Sequence, residues 1–469
     1  MNNFQVGYAR VNINPPLGSA LYGYYVQRFA RGFLDDLEAF AVTLLKNGKK
    51  FIIISVDNCN VCDVVDRCRI AIEEATGIPK ENVFISSTHT HTGPFAHNPA
   101  DFDTSISKEQ ADLTIKYMDF LVNRIKDLAR LALQTLKPAK VGYAIGHAPD
   151  RIAYIRRYRM KDGSVQTCPP VEDPNIDGPI GTLDQRVNVL RFDREGAESV
   201  VILNYGIHAD TVNGDMVSSD WCGWTRRTLE KALDGTKCLC IMGAQGDVGS
   251  TNVHPLPGDM NDTEISFDNE MKSPGMARFV GRALAGTVLQ VFDKVAYIDV
   301  DDIDVIHRPI SIPANNPSPE EMPEARRIKE LHDSGRDDEI PFEAMELTTV
   351  VAEANRMIRL EHGPYEFLTE LTGLRIGNVV MVGIPGEPFT DIGERIKETP
   401  GWDLILPCAL SNGGIGYFPN NSAYDEGGYE TRSSSFKKGV ADVIISESKI
   451  MLDELKKRKQ FQNRRYKNE

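Results

Sequence analysis

The chain has 469 residues, of which 41% are hydrophobic and 26% are charged, and its formal net charge is −14. This composition is typical of a globular protein, and the acidic balance argues against nucleic acid as a partner, because nucleic-acid binding needs a basic face. No apolar run approaches the roughly 18 residues of a membrane span, so we expect no integral membrane segment. The first ten residues lack the charged-then-apolar order of a signal peptide, and we expect a cytoplasmic protein.

In chain order, short apolar runs alternate with helical stretches. We predict a hairpin around Asn47-Gly48, with strands at 41–46 and 50–56, and a helix that runs from the Ser107–Gln110 capping box to about 136. The other predicted helices are 65–75, 221–233, 276–292 and 434–457. The other predicted strands are 140–146, 186–192, 199–205, 238–242, and the pair 366–376 and 379–382. Residues 315–363 are predicted as an inserted helical excursion, and 458–469 as a frayed tail. The whole chain, 1–469, is predicted to form one large mixed α/β domain whose strand-end loops form a metal-containing pocket.

The eight cysteines are too sparse for a disulfide framework in a chain of this length. Cys238 and Cys240 lie in an apolar run, which predicts a buried strand. Cys59 and Cys62 have a CxxC spacing that metal sites use, but no second pair and no histidine lies nearby in sequence. We therefore favour burial in the core for them, and leave metal binding as the alternative.

Reactive side chains follow several apolar runs. His89 and His91 come after 83–87, and in an extended chain side chains two apart point the same way, so we predict that these two face one spot. The other such residues are His208, Asp247 in a glycine-rich turn, Glu387 between Gly386 and Pro388, and Tyr417 and Tyr429 in glycine-rich loops. Taken singly, His208 suits a core residue, Asp247 a plain turn and Glu387 the start of a helix. Jointly, two strand-end histidines and a turn-borne carboxylate are a common zinc set, although other divalent metals suit such ligands too.

Several motifs resemble the neutral/alkaline ceramidase family: Ser-Thr-His-Thr-His-Thr-Gly-Pro at 87–94, Ser-Ser-Asp at 218–220, Gly-Asp-Val at 246–248, Pro-Gly-Glu at 385–387, and the spacing of Tyr417 and Tyr429. The opening at 6–18 is also similar, and the match runs through almost the whole chain. The resemblance implies zinc held by His89, His208, Glu387 and Tyr417. It also implies that His91, Arg151 and Tyr429 surround a substrate carbonyl.

The chain departs from that family in three respects. Ceramidases carry their catalytic serine directly after Gly-Asp-Val, where this chain has Gly249, and Ser250 follows one residue later. A shift of one residue reverses side-chain direction in an extended segment. We also expect no C-terminal immunoglobulin-like domain and no secretion signal. The resemblance therefore predicts the fold and the metal rather than ceramide as the substrate.

Without that serine we expect an amide, ester or lactone hydrolase that uses metal-activated water, with His91 or Asp247 as proton acceptor. Tyr429 and the N–H groups of 246–250 are candidates for stabilising the oxyanion. Arg156, Arg157 and Arg159, with Ser250, are the predicted substrate-binding residues. Since arginine suits carboxylate or phosphate, we expect a small, polar, anionic or sugar-derived substrate; surface arginines that offset local acids are the alternative.

Two other classes fit the same residues. One is a metal-dependent lyase or isomerase in which His91 removes a proton next to a carbonyl. The other is a non-catalytic, ceramidase-like metal-binding protein, which loss of the serine would permit. The sequence does not indicate an oligomeric state.

Overall fold

The computed structural model describes residues 4–101, 106–256 and 272–466. Its strands, numbered in chain order, are β1 (Gln5–Asn12), β2 (Gly32–Phe33), β3 (Glu38–Lys46), β4 (Lys49–Val56), β5 (Val83–Ser87), β6 (Lys137–His147), β7 (Tyr154–Ile155), β8 (Arg157–Met160), β9 (Val165–Thr167), β10 (Ile176–Pro179), β11 (Arg186–Arg194), β12 (Ser199–Tyr205), β13 (Met216–Val217), β14 (Thr236–Met242), β15 (Val248–Gly249), β16 (Ala296–Ile298), β17 (Ile303–Pro313), β18 (Glu366–Ile376), β19 (Val379–Gly383), β20 (Glu387–Pro388), β21 (Leu404–Cys408) and β22 (Tyr417–Phe418).

The helices are α1 (Cys62–Thr76), α2 (Lys108–Gln134), α3 (Asp220–Ala232), α4 (Pro274–Val291), α5 (Met322–Asp333), α6 (Ala344–Leu360), α7 (Thr390–Lys397), α8 (Asn421–Glu426), α9 (Tyr429–Ser433) and α10 (Val440–Tyr466). Within the described ranges, none of them combines the length and apolarity that crossing a bilayer requires.

The larger sheet has the strand order β14-β12-β11-β6-β1-β3-β4-β5, with β16 also paired to β6. Most neighbours are antiparallel, but β12 pairs with β14 and β4 with β5 in parallel. The smaller sheet has the order β17-β18-β19-β21, and its β19–β21 pair is parallel. The fold is therefore mixed α/β, as the sequence predicts.

The two sheets pack face to face around one shared core. That core joins Phe40 and Ile53 of the larger sheet to Val379 and Met381 of the smaller one. Alternate residues of β19 enter a second core against α7 and α10, so this strand is apolar on both faces. Helices α1–α2 and α3–α4 cover the outer face of the larger sheet. The layers therefore run helix, sheet, sheet, helix.

The carboxyl ends of the parallel strands position the predicted reactive loops. β5 leads to His89, β12 to His208, β14 to Asp247, and β19 to Glu387. The two sheets meet at this edge, where Ala409 N donates to Met242 O at 2.9 Å and Asn412 N donates to Ile85 O at 2.7 Å. Loops far apart in sequence are thereby brought to one place.

The predicted 41–56 hairpin is confirmed, with Asn47 and Gly48 at φ values of 51° and 77°, as a type I′ turn requires. The predicted helix at 434–457 is wrong at its start, because Phe436 forms a strand bridge to Ala314 and α10 begins later. The predicted tail from 458 overlaps the end of α10, and 467–469 lie outside the described residues. The predicted excursion contains α5 and α6.

Candidate active site

Three predicted ligands from three separate segments of the chain converge beneath the surface. The ligand atoms of His89, His208 and Glu387 all lie within 4.8 Å of one another. Glu387 Oε2 is 3.2 Å from His89 Nε2 and 3.0 Å from His208 Nε2. All three side chains are buried. Together with Tyr417 they are called the cage below.

The backbone that presents His89 is not the extended strand that the sequence argument assumed. Strand β5 ends at Ser87, and His89 has φ of 63°, in the left-handed region that non-glycine residues rarely occupy. Asn58 O accepts its N–H at 2.9 Å, and Cys59 O lies 2.9 Å from its Nδ1. His89 and His91 do converge, with Nε2 atoms 3.3 Å apart, but through a strained turn rather than strand alternation.

Backbone carbonyls set the tautomers of both cage histidines. His89 Nδ1 donates to Cys59 O, and His208 Nδ1 faces Gln245 O at 2.8 Å and Val248 O at 3.0 Å. With the protons on Nδ1, both Nε2 atoms carry lone pairs. They face Glu387 Oε2, an acceptor without a hydrogen-bond partner of its own. Such distances suit either a metal ion bound by these atoms or a proton on His89 Nε2, since burial opposes that proton but the nearby Glu387 carboxylate raises the pKa of His89 well above its usual value.

Glu387 and Tyr417 reach the cage together. Strands β20 and β22 pair in parallel with these two residues as direct partners. The strands approach so closely that a Cβ on Gly386 would lie 2.5 Å from Gly416 O. The Tyr417 hydroxyl lies 3.5 Å from His208 Nε2.

The donor set fits a divalent ion of the zinc class. Bonds of 2.0–2.1 Å in tetrahedral geometry place nitrogen and oxygen ligands roughly 3.3 Å apart. The cage separations of 3.0, 3.2 and 3.5 Å lie around that value. Burial alone would raise the pKa of Glu387, but His89 and His208 hold it well below its usual range, so the carboxylate is charged.

His91 lies at the edge of the cage. Its Nδ1 is 3.6 Å from Asp210 Oδ1, and that carboxylate also accepts from the Tyr24 hydroxyl and from Lys272 Nζ at 3.0 Å. Burial holds the pKa of His91 well below its usual value, which favours the neutral imidazole. Gly23 packs on the ring so closely that a Cβ there would lie 2.7 Å from His91 Cγ.

Among the predicted arginines, Arg156 is the one that contacts the cage. Its Nη1 lies 3.4 Å from His208 Nε2, Nε donates to Glu430 at 2.7 Å, and Nη2 donates to Gly246 O at 2.8 Å. Its guanidinium also lies over the Tyr417 ring, 5.2 Å from the centroid. The neighbouring Glu430 offsets its charge.

The other three arginines are placed differently. Arg157 is 2% exposed and donates to Glu426 at 3.1 Å and to Gly427 O at 2.8 Å. Arg151 and Arg159 are exposed, unlike the buried cage. The four do not form one common anion site.

Asp247 and its loop are engaged elsewhere. Asp247 Oδ1 accepts from Thr390 N at 2.8 Å and from Thr390 Oγ1 at 2.9 Å, at the start of α7. Burial raises the pKa of Asp247 to about 6. The N–H groups of Gly246 and Val248 donate to Pro388 O and Gln245 O, so these two are not available to an oxyanion.

Tyr429 and Ser250 flank the site. The Tyr429 ring centroid is 5.6 Å from that of Tyr417, and burial raises the pKa of Tyr429 well above its usual value, so its hydroxyl keeps its proton. Ser250 is buried just after β15. A Cβ on the preceding Gly249 would lie 3.9 Å from Arg156, which is ordinary contact distance.

Sequence reasoning missed Asp210 and the helices behind Tyr429. The His-x-Asp spacing of His208 and Asp210 was the available signal for the first. Helix α9 carries Tyr429, and Arg432 on it binds Glu353 of α6 at 2.6 Å. Helix α6 therefore supports one wall of the site, which its charged sequence did not indicate.

Solved structures show which known proteins share this fold. A neutral ceramidase from Pseudomonas aeruginosa matches with a TM-score of 0.72 at 18% identity, over 98% of this chain and 75% of that chain. A ceramidase complexed with C2 matches with a TM-score of 0.70 at 17% identity, over 98% and 76%. No protein-family model and no curated protein matches by sequence. The chain has the neutral ceramidase fold, which confirms the expectation drawn from the motifs.

Proposed function

We propose that the protein is a zinc-dependent hydrolase that cleaves an amide or ester bond, lactones included, of a small polar substrate. The observation that carries this proposal is the convergence of two imidazole Nε2 atoms on the Glu387 carboxylate. Such a set suits a divalent metal ion, and the shared fold with ceramidases supports hydrolysis as the reaction class.

His89, His208, Glu387 and Tyr417 would hold the ion. A bound zinc ion supplies Lewis acidity, which polarises a carbonyl and makes water a better nucleophile near neutral pH. The cage is buried and is lined by the aromatic rings of Tyr417 and Tyr429, so little bulk water competes with the substrate.

His91 is the proton acceptor in this proposal, in preference to Asp247. Its low pKa keeps it neutral before reaction, and Asp210 lies on the far side of the ring to stabilise the imidazolium that forms. The Asp247 carboxylate is already bound by Thr390. The Asp247 side chain thereby holds the start of α7. The backbone carbonyl of Asp247 accepts the N–H of Arg156 at 3.0 Å.

Arg156 and Tyr429 bind the substrate oxygen in this proposal. Arg156 has Nη1 directed at the cage, and Tyr429 keeps a proton that it can donate. Because Arg156 is paired with Glu430, it offers a hydrogen-bond donor more than a free positive charge. The anionic or sugar-derived character of the substrate therefore depends on Arg156 rather than on a cluster of arginines.

The test is turnover of a panel of N-acyl and ester substrates in water labelled with heavy oxygen. Hydrolysis places the label in the released carboxylate, and chelation of the metal or the His91→Ala change removes turnover. A product of unchanged mass or one lacking the label would instead indicate a lyase or isomerase, for which His91 beside the cage is equally well placed. No turnover of any substrate by the zinc-loaded protein would favour the non-catalytic alternative.

A further inference from the structure

A second group of ligand-type side chains lies at the start of α1, apart from the cage. Cys62 Sγ is 3.4 Å from His97 Nδ1 and 3.1 Å from Asp63 Oδ1, and His97 Nδ1 is 3.5 Å from Asp63 Oδ2. Their ligand atoms lie within 4.8 Å of one another. These three residues are called the second cluster.

Hydrogen bonding accounts for part of this arrangement, since the Cys62 thiol donates to Asp63 Oδ1 at 3.1 Å, but the His97 contacts are less well explained by it. A single Nδ1 faces both a thiol and a carboxylate, and 3.5 Å is longer than the usual 2.7–3.2 Å of an N–H···O bond. Bonds of 2.0–2.3 Å in tetrahedral geometry place sulfur, nitrogen and oxygen ligands roughly 3.3–3.6 Å apart. The sulfur–nitrogen separation of 3.4 Å and the nitrogen–oxygen separation of 3.5 Å are close to two edges of such a tetrahedron, while the 3.1 Å contact of Cys62 involves the other carboxylate oxygen, Oδ1.

The surrounding contacts hold each donor in place. His97 is 7% exposed, and its ring packs against Tyr22 and Phe95 at centroid distances of 4.9 and 5.2 Å. Its Nε2 finds no hydrogen-bond partner within the described parts of the chain, so the polar contacts of the ring all lie on the Nδ1 side. Asn98 N donates to Asp63 Oδ2 at 2.9 Å, which fixes the carboxylate.

We propose that Cys62, Asp63 and His97 bind a divalent transition-metal ion of the zinc class. A thiolate, an imidazole and a carboxylate suit zinc or cobalt, whereas calcium and magnesium prefer oxygen ligands alone. The Asp63 side chain is 32% exposed, which leaves the fourth position of the ion open to water. This proposal does not depend on the proposed hydrolase activity.

Such an ion would also fix the segment that supports the cage. The carbonyls of Asn58 and Cys59 hold His89, and the second cluster begins three residues further along the chain. Asn60 Oδ1 accepts the N–H of Cys62 at 2.9 Å and Asn60 Nδ2 donates to Gly414 O at 2.7 Å, so the intervening residues are already ordered. An ion at Cys62 would stabilise the strained turn at His89 from outside the cage.

Cobalt titration of the full-length, metal-free protein tests the proposal, because a thiolate ligand gives cobalt a charge-transfer absorption that histidine and carboxylate ligands do not. We expect two equivalents of cobalt and a charge-transfer band in the wild type. Cys62→Ser should bind one equivalent and lose the band, whereas His89→Ala should bind one equivalent and keep it.

Cys59→Ser is the matched control, since Cys59 Sγ lies 3.5 Å from His89 Nδ1 and is the other thiol near a histidine. It should keep the band. Asp63→Asn preserves the shape of the side chain. It should weaken the affinity for cobalt, measured from the growth of the band, by about tenfold or more. A wild type without the band, a band that survives Cys62→Ser, or a band that disappears in Cys59→Ser would overturn the proposal.

Discussion

Glu387 and Tyr417 are direct partners in a parallel pair of two-residue strands, although they lie thirty positions apart in sequence with helix α7 between them. This pairing places a carboxylate and a phenol side by side against His208. Since the backbone of β20 and β22 sets both side chains at once, this half of the cage is positioned by strand pairing. A preformed cage is what a metal site needs if binding is to be tight.

His91 carries the proton-transfer role in this account. His91→Ala should lower the turnover number by about 10²–10⁴-fold, because a positioned general base contributes that much. Metal content should not change, since the cage is complete without it. His307→Ala is the control, a histidine bound to Glu370 away from the cage. Equal loss of turnover in both variants, or loss of metal in His91→Ala, would contradict the assignment.

Ser250 tests whether a serine nucleophile has been retained. In the proposed mechanism Ser250→Ala keeps turnover within a few-fold of the wild type. Gly249→Ser should fold with a stability within about 0.5 kcal/mol of the wild type, because a Cβ there meets Arg156 only at contact distance. A kinetic assay measures the turnover of Ser250→Ala, and urea unfolding measures the stability of Gly249→Ser. Abolished turnover in Ser250→Ala with zinc still bound would restore the serine mechanism.

We propose that Arg157, which the sequence analysis assigns to substrate binding, is structural, because Glu426 and Gly427 O already accept its N–H groups. Removal of one partner from a buried ion pair costs on the order of 3 kcal/mol, so Arg157→Ala should lower the free energy of unfolding by about that amount. Arg159→Ala, on the same strand but exposed, should change it by less than about 0.5 kcal/mol. Urea unfolding compares the two. Similar stabilities, with KM raised in Arg157→Ala, would instead return Arg157 to the substrate site.

We expect Asp220 to make the stability of the protein depend on pH. Burial raises the pKa of Asp220 to about 7 from its ordinary value of 3.8. Between these values the folded state holds a proton that the unfolded state has released, so this contribution to stability falls as the pH rises from about 4 to about 7. The slope for one proton is at most ~1.4 kcal/mol per pH unit.

Asp220→Asn removes that titration and keeps a residue that tolerates the φ of 55° found there. The unfolding free energy of the wild type minus that of the variant should therefore fall as the pH rises from about 4 to about 7. The surface change Asp391→Asn is the control and should leave the pH profile of the wild type unaltered. A constant difference between wild type and Asp220→Asn across the window would show that Asp220 is charged throughout.

Local patterns predicted much of the fold, because each depends on residues close in sequence. Asn47-Gly48 determined its hairpin, and Ser107 caps α2 by accepting the Gln110 N–H as the capping box predicts. Strand β1 was missed as a central strand. Its Gly7 permits an approach to α2 so close that a Cβ would lie 2.0 Å from Ala132 O, a contact that only the tertiary structure reveals.

The cage residues were predictable by type but not by mechanism of assembly. The strand-end positions of His208 and Glu387 identified them as candidates, whereas the left-handed backbone of His89 follows from long-range hydrogen bonds to Asn58 and Cys59. The CxxC interpretation was wrong in one respect: the structure places a histidine next to each of its two thiols. No spacing rule predicts contacts across thirty residues or more.

We propose above that His89, His208, Glu387 and Tyr417 surround one divalent ion. Anomalous diffraction at the zinc absorption edge, on crystals grown with zinc, tests it most directly. We expect an anomalous peak bounded by the two Nε2 atoms and the Glu387 carboxylate, and its loss in Glu387→Gln. An occupied cage without anomalous signal, or a Glu387–histidine contact bridged only by a proton, would contradict the account.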